Sequence, residues 1–335
     1  MASKKYLIVG AGGFIAGHIT KKLLDEGNII IAADIKPKKF WFQNFVDAQS
    51  YDEIDMKDYN NCVNMTNNVD YVINMACNMG GMGFIENNKT ECMLSVLINT
   101  NLLRASLINK VKKFFFSSTA CVYNIQKQEK AFIKGLKEED AYPAMPEDGY
   151  GWEKLFSERM CRHFMEDYGL EIRIARYHNV YGPMGTFDGG REKVPAALCR
   201  KIATAVLSKK NEIEIWGDGE QTRSFLFIND CVEGTLRLLN SNHSEPINIG
   251  SDEQVSINQM ADIIEKIAGI KNLKRNYLLD KPKGVRGRSS NNENAIKILN
   301  WQNQVSLKDG LAKTYNWIYS ELKKGSLNSN KYCRS

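Results

Sequence analysis

The sequence lacks the features that mark secreted, membrane or metal-binding proteins. Its eight cysteines, spread over 335 residues, form no Cys-x-x-Cys pair and no closely spaced framework, so we expect reduced thiols rather than disulfides. No apolar run reaches the roughly 20 residues that a membrane-spanning helix needs. The polar start, Met1 to Lys5, leads directly into an apolar segment and leaves no room for a signal peptide. These absences favour a cytoplasmic protein with no membrane partner.

The sequence also has few histidines and only a small excess of basic over acidic residues. The four histidines show no ligand spacing, so we expect no metal site. The net charge of +6 comes from cations that are mostly interleaved with acids, which suits an anionic small molecule as well as nucleic acid. One basic stretch, residues 271–288, either binds phosphates or is a solvated surface. It matches no recognised nucleic-acid-binding motif, and we expect no nucleic-acid partner.

A glycine-rich turn follows the first apolar run. Gly10 and Gly13 have the spacing of a dinucleotide-binding turn, in which the first glycine permits a tight bend and the second lets backbone approach a diphosphate. Ala16 stands where a third glycine is often found. Phe14 and Ile15 open the helical pattern that follows, so the N-terminus of this helix would face the phosphates.

The second apolar run ends in an acid. Asp34 follows residues 29–33, about twenty residues after the glycine turn, where a carboxylate accepts hydrogen bonds from the ribose hydroxyls. Its charge repels the extra phosphate of NADP, although Lys36 partly offsets that repulsion. The pattern predicts an NAD site. Asp55, expected at the end of a third strand, would meet the adenine amino group or be a solvated loop acid.

Strand-like and helix-like patterns alternate along the chain. A fourth strand, one helix near residues 90–109, a fifth strand and a sixth strand at Glu171–Tyr177 predict a parallel sheet with helices on both faces. The fold class is therefore α/β: a doubly wound Rossmann sheet followed by a smaller C-terminal α/β substrate domain. We expect the NAD-binding domain at residues 1–178 with later segments returning to it, the substrate domain mainly at 179–325, and a polar tail at 326–335.

The segment from Ser117 to Lys154 contains the strongest catalytic signal. If Tyr150 and Lys154 share a helix, their spacing places both on one face, and the ammonium would lower the pKa of the phenol from about 10. Such a pair can act as a general base. By itself the spacing also fits the amphipathic edge of an ordinary helix.

Several motifs together resemble the extended short-chain dehydrogenase/reductases that modify nucleotide sugars. The similarity covers nearly the whole chain and is greatest to the 3,5-epimerases of GDP-sugars within that superfamily. The matching motifs are Met79-Gly80-Gly81-Met82-Gly83-Phe84, Ala120-Cys121-Val122-Tyr123, Gly189-Gly190-Arg191-Glu192-Lys193, Trp216-Gly217-Asp218-Gly219-Glu220-Gln221-Thr222-Arg223-Ser224-Phe225 and Gly284-Val285-Arg286-Gly287-Arg288. Two departures are Ala16-Gly17 in the glycine turn and Cys77-Asn78 ahead of the second glycine-rich turn.

The resemblance implies an NAD-dependent epimerase that is a homodimer. Tyr150, Lys154 and Thr119 would carry the redox step, and Cys121 and Lys193 would form a second acid/base pair. The cofactor-binding residues would be Gly10, Gly13, Phe14, Ile15, Asp34, Asp55, Tyr150 and Lys154. The residues that bind the GDP-sugar would be Gly81, Thr119, Cys121, Asn179, Glu192, Lys193, Val194, Lys201, Gln221, Arg223 and Arg286.

Other interpretations fit parts of the same pattern. Cys121 alone resembles a small buried hydrophobic residue, Lys193 a solvated loop charge, and Arg223 and Arg286 partners in surface ion pairs. A C4-epimerase or an epimerase acting at one centre would share the fingerprint and the redox residues. A non-catalytic NAD-binding protein is less well supported, because Tyr150 and Lys154 are both present.

Overall fold

A computed structural model of the protein describes residues 3–325. Its α-helices are α1 Phe14–Asp25, α2 Tyr59–Thr66, α3 Met82–Asn87, α4 Lys89–Met93, α5 Ser95–Ile108, α6 Tyr150–Tyr168, α7 Val194–Ser208, α8 Ile228–Asn240, α9 Ile257–Ala268, α10 Glu293–Leu299 and α11 Leu307–Lys323. Its strands are β1 Lys5–Val9, β2 Ile29–Ala33, β3 Gln49–Tyr51, β4 Tyr71–Asn74, β5 Lys113–Thr119, β6 Glu171–Tyr177, β7 Val180–Tyr181, β8 Glu212–Trp216, β9 Thr222–Ser224, β10 Leu226–Phe227, β11 Ile247–Ile249, β12 Gln254–Ser256, β13 Lys274–Leu278 and β14 Gly287–Arg288.

A parallel sheet forms the centre of the molecule. Among the described residues its seven strands run in the order β11-β6-β5-β4-β1-β2-β3. The inner strands are continuous apolar runs, such as Phe114 to Phe116, because helices cover both faces. One face packs in a cluster with α1, α7, α8, α9 and α11, and the other packs with α2, α5 and α6. The predicted doubly wound α/β fold is confirmed.

The order of the strands reverses between β1 and β4. Ligands bind outside the carboxyl ends of such strands, in the crevice where the two halves of the sheet diverge. Gly10 lies at this point with φ of +83°, and a Cβ there would be 3.0 Å from the backbone nitrogen of Ala76. Glycine is required here by both the backbone conformation and the close approach of the β4 connection.

The later part of the chain forms small sheets beside the central one. β11, from residues 247–249, joins the edge of the central sheet next to β6. A separate three-stranded sheet has the order β12-β9-β14 and places Arg223 beside Arg288 in register. Chain segments that are 65 residues apart in sequence thus bring two guanidinium groups together. The division into domains at residue 178 stays a prediction.

Two local predictions differ from the structure. The third strand ends at Tyr51, before Asp55, because Glu53 adopts a left-handed conformation with φ of +57° and turns the chain out of the sheet. The helix expected near residues 90–109 is two helices, which meet at Leu94. The capped helix expected at Ser256 is confirmed by reciprocal hydrogen bonds between Ser256 and Gln259.

The remaining sequence predictions concern membranes and the tail. Within residues 3–325, no helix has both the length and the apolar character needed to cross a bilayer. The predicted tail, 326–335, lies outside the described residues.

Candidate active site

A cavity of about 600 Å³ opens at the carboxyl ends of β1, β2, β4 and β5. Its wall includes nine residues that the sequence analysis assigned to cofactor or substrate: Gly10, Gly13, Phe14, Ile15, Asp34, Asp55, Thr119, Tyr150 and Lys193. The crevice of the parallel sheet therefore gathers residues from the first 200 positions into one site. A volume of this size suits a small ligand or a cofactor.

One end of the cavity has the geometry of a nucleotide site. Gly13 precedes α1 in an extended conformation, and in the described chain no side chain caps this helix N-terminus. Asp34 is buried and held in place, because its Oδ2 accepts the Gly12 N–H at 2.9 Å and its Oδ1 accepts the Lys36 N–H at 2.8 Å. A free helix N-terminus favours phosphate, and a fixed carboxylate beside it favours ribose hydroxyls.

The predicted redox residues lie on α6 and at the end of β5, and Tyr150 and Thr119 line the same cavity. Tyr150 is the first residue of α6 and Lys154 lies one turn later, so the prediction that they share a helix is confirmed. The Lys154 ammonium lies 5.9 Å from the centre of the Tyr150 ring and 3.9 Å from a carboxylate oxygen of Glu153. Thr119, at the end of β5, hydrogen-bonds to the phenol.

The pKa of Tyr150 differs from the sequence prediction. Burial raises the pKa of this phenol, an effect that the carboxylate and thiols nearby reinforce and the Thr119 hydrogen bond opposes. The expected lowering by Lys154 is wrong for the protein alone, because the ammonium lies over the ring and beside Glu153. The phenol is therefore protonated at neutral pH until further positive charge enters the site.

Cys121 lies near the Tyr150 phenol, and Lys193 interacts with the Cys121 thiol. Cys121 follows Thr119 in a short 3-10 turn and packs in one cluster with Tyr150. Burial, reinforced by the Glu147 carboxylate, raises the pKa of the Cys121 thiol to about 11. Burial lowers the pKa of the half-buried Lys193, while Cys121 and Cys77 raise it. The site thus contains a thiol that holds its proton and an amine that loses its proton more readily than usual.

Comparison with known proteins identifies the chain's family. Residues 6–250 match the model of the NAD dependent epimerase/dehydratase family. The chain belongs to this family. The matched span contains the glycine turn, Asp34, and both Tyr150 and Lys154, so the predicted family, enzyme class and fold are confirmed.

Relatives that align with almost the whole chain indicate a more specific group within the family. The chain is 47% identical to "GDP-mannose 3,5-epimerase 1" of Oryza sativa subsp. indica, over 95% of this chain and 82% of the rice protein. It is 46% identical to "GDP-mannose 3,5-epimerase" of Arabidopsis thaliana, over 96% and 83% of the two chains. Among solved structures, the UDP-glucuronic acid 4-epimerase from Bacillus cereus, in complex with UDP-glucuronic acid and NAD, has 27% identity and a TM-score of 0.79 over 94% of this chain and 99% of that one.

The cavity of this family member fits NAD. A Cβ at Gly13 would lie 3.0 Å from the carbonyl of Gly10, so the fingerprint turn keeps its backbone open to the diphosphate only with glycine. Gly10 and Gly13 would hold the diphosphate and Asp34 the ribose. Asp55 also lines the cavity, with its carboxylate accepting from the Lys57 N–H at 2.8 Å. The NAD prediction is confirmed.

The glycine-rich loop that ends in Lys193 is fixed to the turn after β4. The Gly81 N–H donates to the Arg191 carbonyl at 3.1 Å, and a Cβ on Gly81 would lie 2.6 Å from the Glu192 carbonyl. The Arg191 guanidinium donates to Asn78 Oδ1 at 2.8 Å. The Cys77-Asn78 departure therefore has a structural partner, and these contacts place Lys193 at the N-terminus of α7.

The other predicted substrate residues occupy varied environments. Gln221 is buried, and its side-chain oxygen has no hydrogen-bond partner among the described residues. Arg223 is buried and donates to backbone carbonyls, and its pKa is lowered to about 10 by burial and by the neighbouring Arg288. Arg286 forms an ion pair with Asp218, in which Nη1 donates to both carboxylate oxygens at 2.9 Å.

Three further predicted substrate residues are Asn179, Lys201 and Val194. Asn179 donates to the Ser224 carbonyl, Lys201 donates to the Glu214 carbonyl, and Val194 is an exposed first residue of α7. Their assignment to the substrate stays a prediction.

The sequence analysis missed two residues beside the thiol. Arg288 is buried with Nη1 3.6 Å from Cys121 Sγ, and Glu147 accepts a hydrogen bond from Arg288 Nη2 at 2.5 Å. Arg288 lies in a motif that was recognised, and only its neighbour Arg286 was assigned. Glu147 stands three residues before Tyr150. Its closeness to Tyr150 in the sequence was the only signal that its carboxylate lies in the site.

Proposed function

We propose that this enzyme is a GDP-mannose 3,5-epimerase, which converts GDP-D-mannose to GDP-L-galactose. The observation that supports this most is that Cys121 packs with Tyr150 and that Lys193 interacts with the Cys121 thiol, because inversion at a carbon next to a carbonyl needs a second acid/base pair. The identity of 46–47% to plant enzymes named for this reaction supports the same substrate.

The first half of the reaction makes the hydrogens on C3 and C5 of the sugar acidic. Bound NAD supplies a reversible hydride acceptor for C4 of the sugar. Tyr150 takes the proton of the C4 hydroxyl, and Thr119 hydrogen-bonds to the oxygen that becomes a carbonyl. A carbonyl at C4 acidifies the hydrogens on C3 and C5, since the resulting carbanion is delocalised as an enolate. Lys154 contributes a buried positive charge 5.9 Å from the centre of the Tyr150 ring.

The second half is proton exchange on two faces of the sugar. Cys121 and Lys193 come from opposite parts of the chain, the end of β5 and the start of α7. One group removes a proton from C3 or C5, and the other returns a proton to the opposite face. Burial lowers the pKa of Lys193, so its ammonium gives up a proton more readily than that of an exposed lysine. The C4 carbonyl is finally reduced again, so no cofactor is consumed.

The GDP group would be held by the buried and basic residues of the later chain. Arg223 offers a planar guanidinium suited to a diphosphate, and the Gln221 side-chain oxygen needs a donor that a ligand can provide. Arg286 would exchange its Asp218 partner for phosphate. In this proposal residues 179–325 contribute most of the sugar-nucleotide contacts and residues 1–178 hold NAD.

The function is tested by hydrogen exchange in deuterated water. With GDP-mannose, the wild-type enzyme is expected to incorporate deuterium at C3 and C5 of the sugar, read by position with NMR. A C4-epimerase would leave both carbons protonated, and an epimerase acting at one centre would label only one of them. Deuterium at neither carbon overturns the assignment, and UDP-glucose is the control substrate that should remain unlabelled.

We also propose that the enzyme is a cytoplasmic homodimer. The cysteines in the described chain are all free, which suits a reducing compartment. Helices α4 and α5 pack on α6, and these helices carry several exposed apolar side chains. A second copy of the chain would cover the face that they form. These side chains are Met93, Leu94, Leu97, Trp152 and Phe156.

Charges on this face are expected to separate the dimer. The double substitution Trp152→Glu and Phe156→Glu places two like charges, four residues apart, in the proposed interface, where burying them is costly. Light scattering should give twice the mass of one chain for the wild type and a single chain for the variant. Ile298→Glu, an equally apolar and exposed position on α10, should remain dimeric. A monomeric wild type contradicts the proposal.

A further inference from the structure

The segment that connects β7 to α7, residues 182–193, touches both sides of the cofactor crevice. Near its start, a Cβ on Gly185 would lie 3.1 Å from the ring of Phe14, the first residue of α1. Near its end, the Arg191 carbonyl accepts the Gly81 N–H at 3.1 Å, in the turn that follows β4. Gly185 and Arg191 both line the cavity. The segment therefore reaches from the helix that begins at the glycine turn to the opposite wall of the same crevice.

The side chain of Arg191 is held against the wall on the β4 side. Its Nη1 donates to Asn78 Oδ1 at 2.8 Å and to the Met79 carbonyl at 3.3 Å. Its guanidinium carbon lies 3.7 Å from the centre of the Phe84 ring, which covers one face of the group. Asn78 and Met79 follow β4, one of the two strands between which the order of the sheet reverses. The guanidinium is therefore fixed in the crevice where dinucleotides bind.

The positive charge of Arg191 is not balanced by an acid. Within residues 3–325 no carboxylate forms an ion pair with this guanidinium, and its Nε and Nη2 donors have no acceptor. The adjacent acid, Glu192, has other partners, because its carboxylate accepts the Gly190 N–H at 2.7 Å and Arg200 Nη2 at 3.3 Å. A partly buried cation with unused donors on the wall of a ligand cavity favours an anionic ligand.

Two lysines of the same wall are less available to an anion. The Lys36 ammonium lies 4.4 Å from the centre of the Phe42 ring, and the Lys57 ammonium lies 3.7 Å from a carboxylate oxygen of Asp55. Arg191 combines a full charge with a planar fork of donors, the geometry that matches two phosphate oxygens at once. The diphosphate of NAD is the anion that the crevice of this fold receives.

We propose that Arg191 binds the diphosphate of NAD from the segment before α7 and slows release of the cofactor. This inference depends on the NAD site and not on which sugar the enzyme epimerises. An epimerase of this family returns the hydride to the sugar from which it came, so cofactor that left midway would strand an oxidised sugar. Lys193 lies only two residues after Arg191. One short segment would thus hold the cofactor with one side chain and face the sugar with the other.

Cofactor release from the holoenzyme tests this role without a sugar substrate. The enzyme is loaded with etheno-NAD, a fluorescent analogue with the same diphosphate, and its release is followed by fluorescence anisotropy after addition of excess NAD. Arg191→Gln removes the charge but keeps a donor for Asn78, and we expect release to become about 10- to 100-fold faster, the effect of losing a hydrogen bond to a charged group. Arg191→Lys keeps the charge without the planar fork and should give an intermediate rate.

Arg200→Ala is the matched control, because Arg200 fixes the same segment from outside the described cavity wall. Its Nε donates to the Phe187 carbonyl at 2.8 Å and lies 3.4 Å from a carboxylate oxygen of Asp188. This variant loosens the segment without removing a charge from the cavity, so etheno-NAD should leave at the wild-type rate. A second comparison uses competitors. ADP-ribose, which carries the diphosphate, should displace etheno-NAD less well from Arg191→Gln than from the wild type, whereas adenosine should show no difference.

The outcomes separate a phosphate contact from a tether of the segment. Release from Arg191→Gln at the wild-type rate overturns the proposal, as does equally fast release from Arg200→Ala. Weaker binding of GDP-mannose with unchanged release of etheno-NAD would assign Arg191 to the substrate instead. If Arg191→Gln does not fold, Arg191→Lys decides, since release at the wild-type rate from that variant contradicts the need for the planar fork. If the wild type exchanges no sugar hydrogen, the proposed function fails while this test of the cofactor contact still stands.

Discussion

Replacing Cys121 with alanine is expected to stop hydrogen exchange at C3 and C5 while leaving cofactor binding and C4 oxidation in place. In the proposed mechanism the thiol is one of the two groups that move protons at these carbons, and a positioned acid or base contributes about 10²–10⁴-fold. The proposed mechanism assigns the C4 step to Tyr150, Thr119 and Lys154, and that step does not use the thiol. The loss should therefore be confined to the second half of the reaction.

The measurement separates the two halves with one sample. Deuterium incorporation into GDP-mannose is followed by NMR, and transient C4 oxidation is followed by the absorbance of reduced nicotinamide. Cys199→Ala is the matched control, since Cys199 is also fully buried and free but lies on α7, packed in the core cluster. If Cys121→Ala exchanged hydrogen at the wild-type rate, the thiol would be a packing residue only.

Removing the hydroxyl of Tyr150 is expected to stop both halves together. Tyr150→Phe cannot accept the proton of the C4 hydroxyl, so no carbonyl forms and the hydrogens on C3 and C5 stay inert. We expect C4 oxidation to fall by about 10²–10⁴-fold, with hydrogen exchange lost in proportion. NAD content should change little, because the glycine turn and Asp34 are also predicted to hold the cofactor.

The comparison between the two variants is the stronger test. Cys121→Ala should retain C4 oxidation that Tyr150→Phe has lost, and neither should exchange hydrogen. Tyr168→Phe removes a hydroxyl from the other end of α6, where the side chain is exposed, and should behave as the wild type. If Tyr150→Phe exchanged hydrogen at the wild-type rate, the hydrogens on C3 and C5 would become acidic without C4 oxidation by Tyr150.

The structure changes the expected effect of Lys154 on the pKa of Tyr150. Their spacing predicted a phenol with a low pKa, yet burial raises that pKa in the protein alone. The buried Glu153 lies 3.9 Å from the Lys154 ammonium and partly neutralises it. Spacing on a helix reports which side chains are neighbours, but it carries no information about desolvation or about the charges that other elements bring.

Local patterns were sufficient for the first half of the chain. The glycine turn, the acid after the second strand and the shared helix of Tyr150 and Lys154 are set by contiguous residues, and each was found from the sequence. The errors occurred where a single residue changes the backbone, as at Glu53 with its left-handed conformation and at Leu94 between two helices. Periodicity averages over several residues and does not resolve such points.

The sequence by itself determined the fold class and the cofactor, because both depend on short segments whose spacing is fixed by strand and helix geometry, and the family followed from the resemblance of its motifs. Only the tertiary structure decided what surrounds the thiol. Glu147, Cys121 and Arg288 meet across 141 and 167 residues of chain, and their contacts depend on how β14 pairs with β9 and where β5 ends. Buried charge interactions act through space, so the protonation of Cys121 follows from packing that no local pattern encodes.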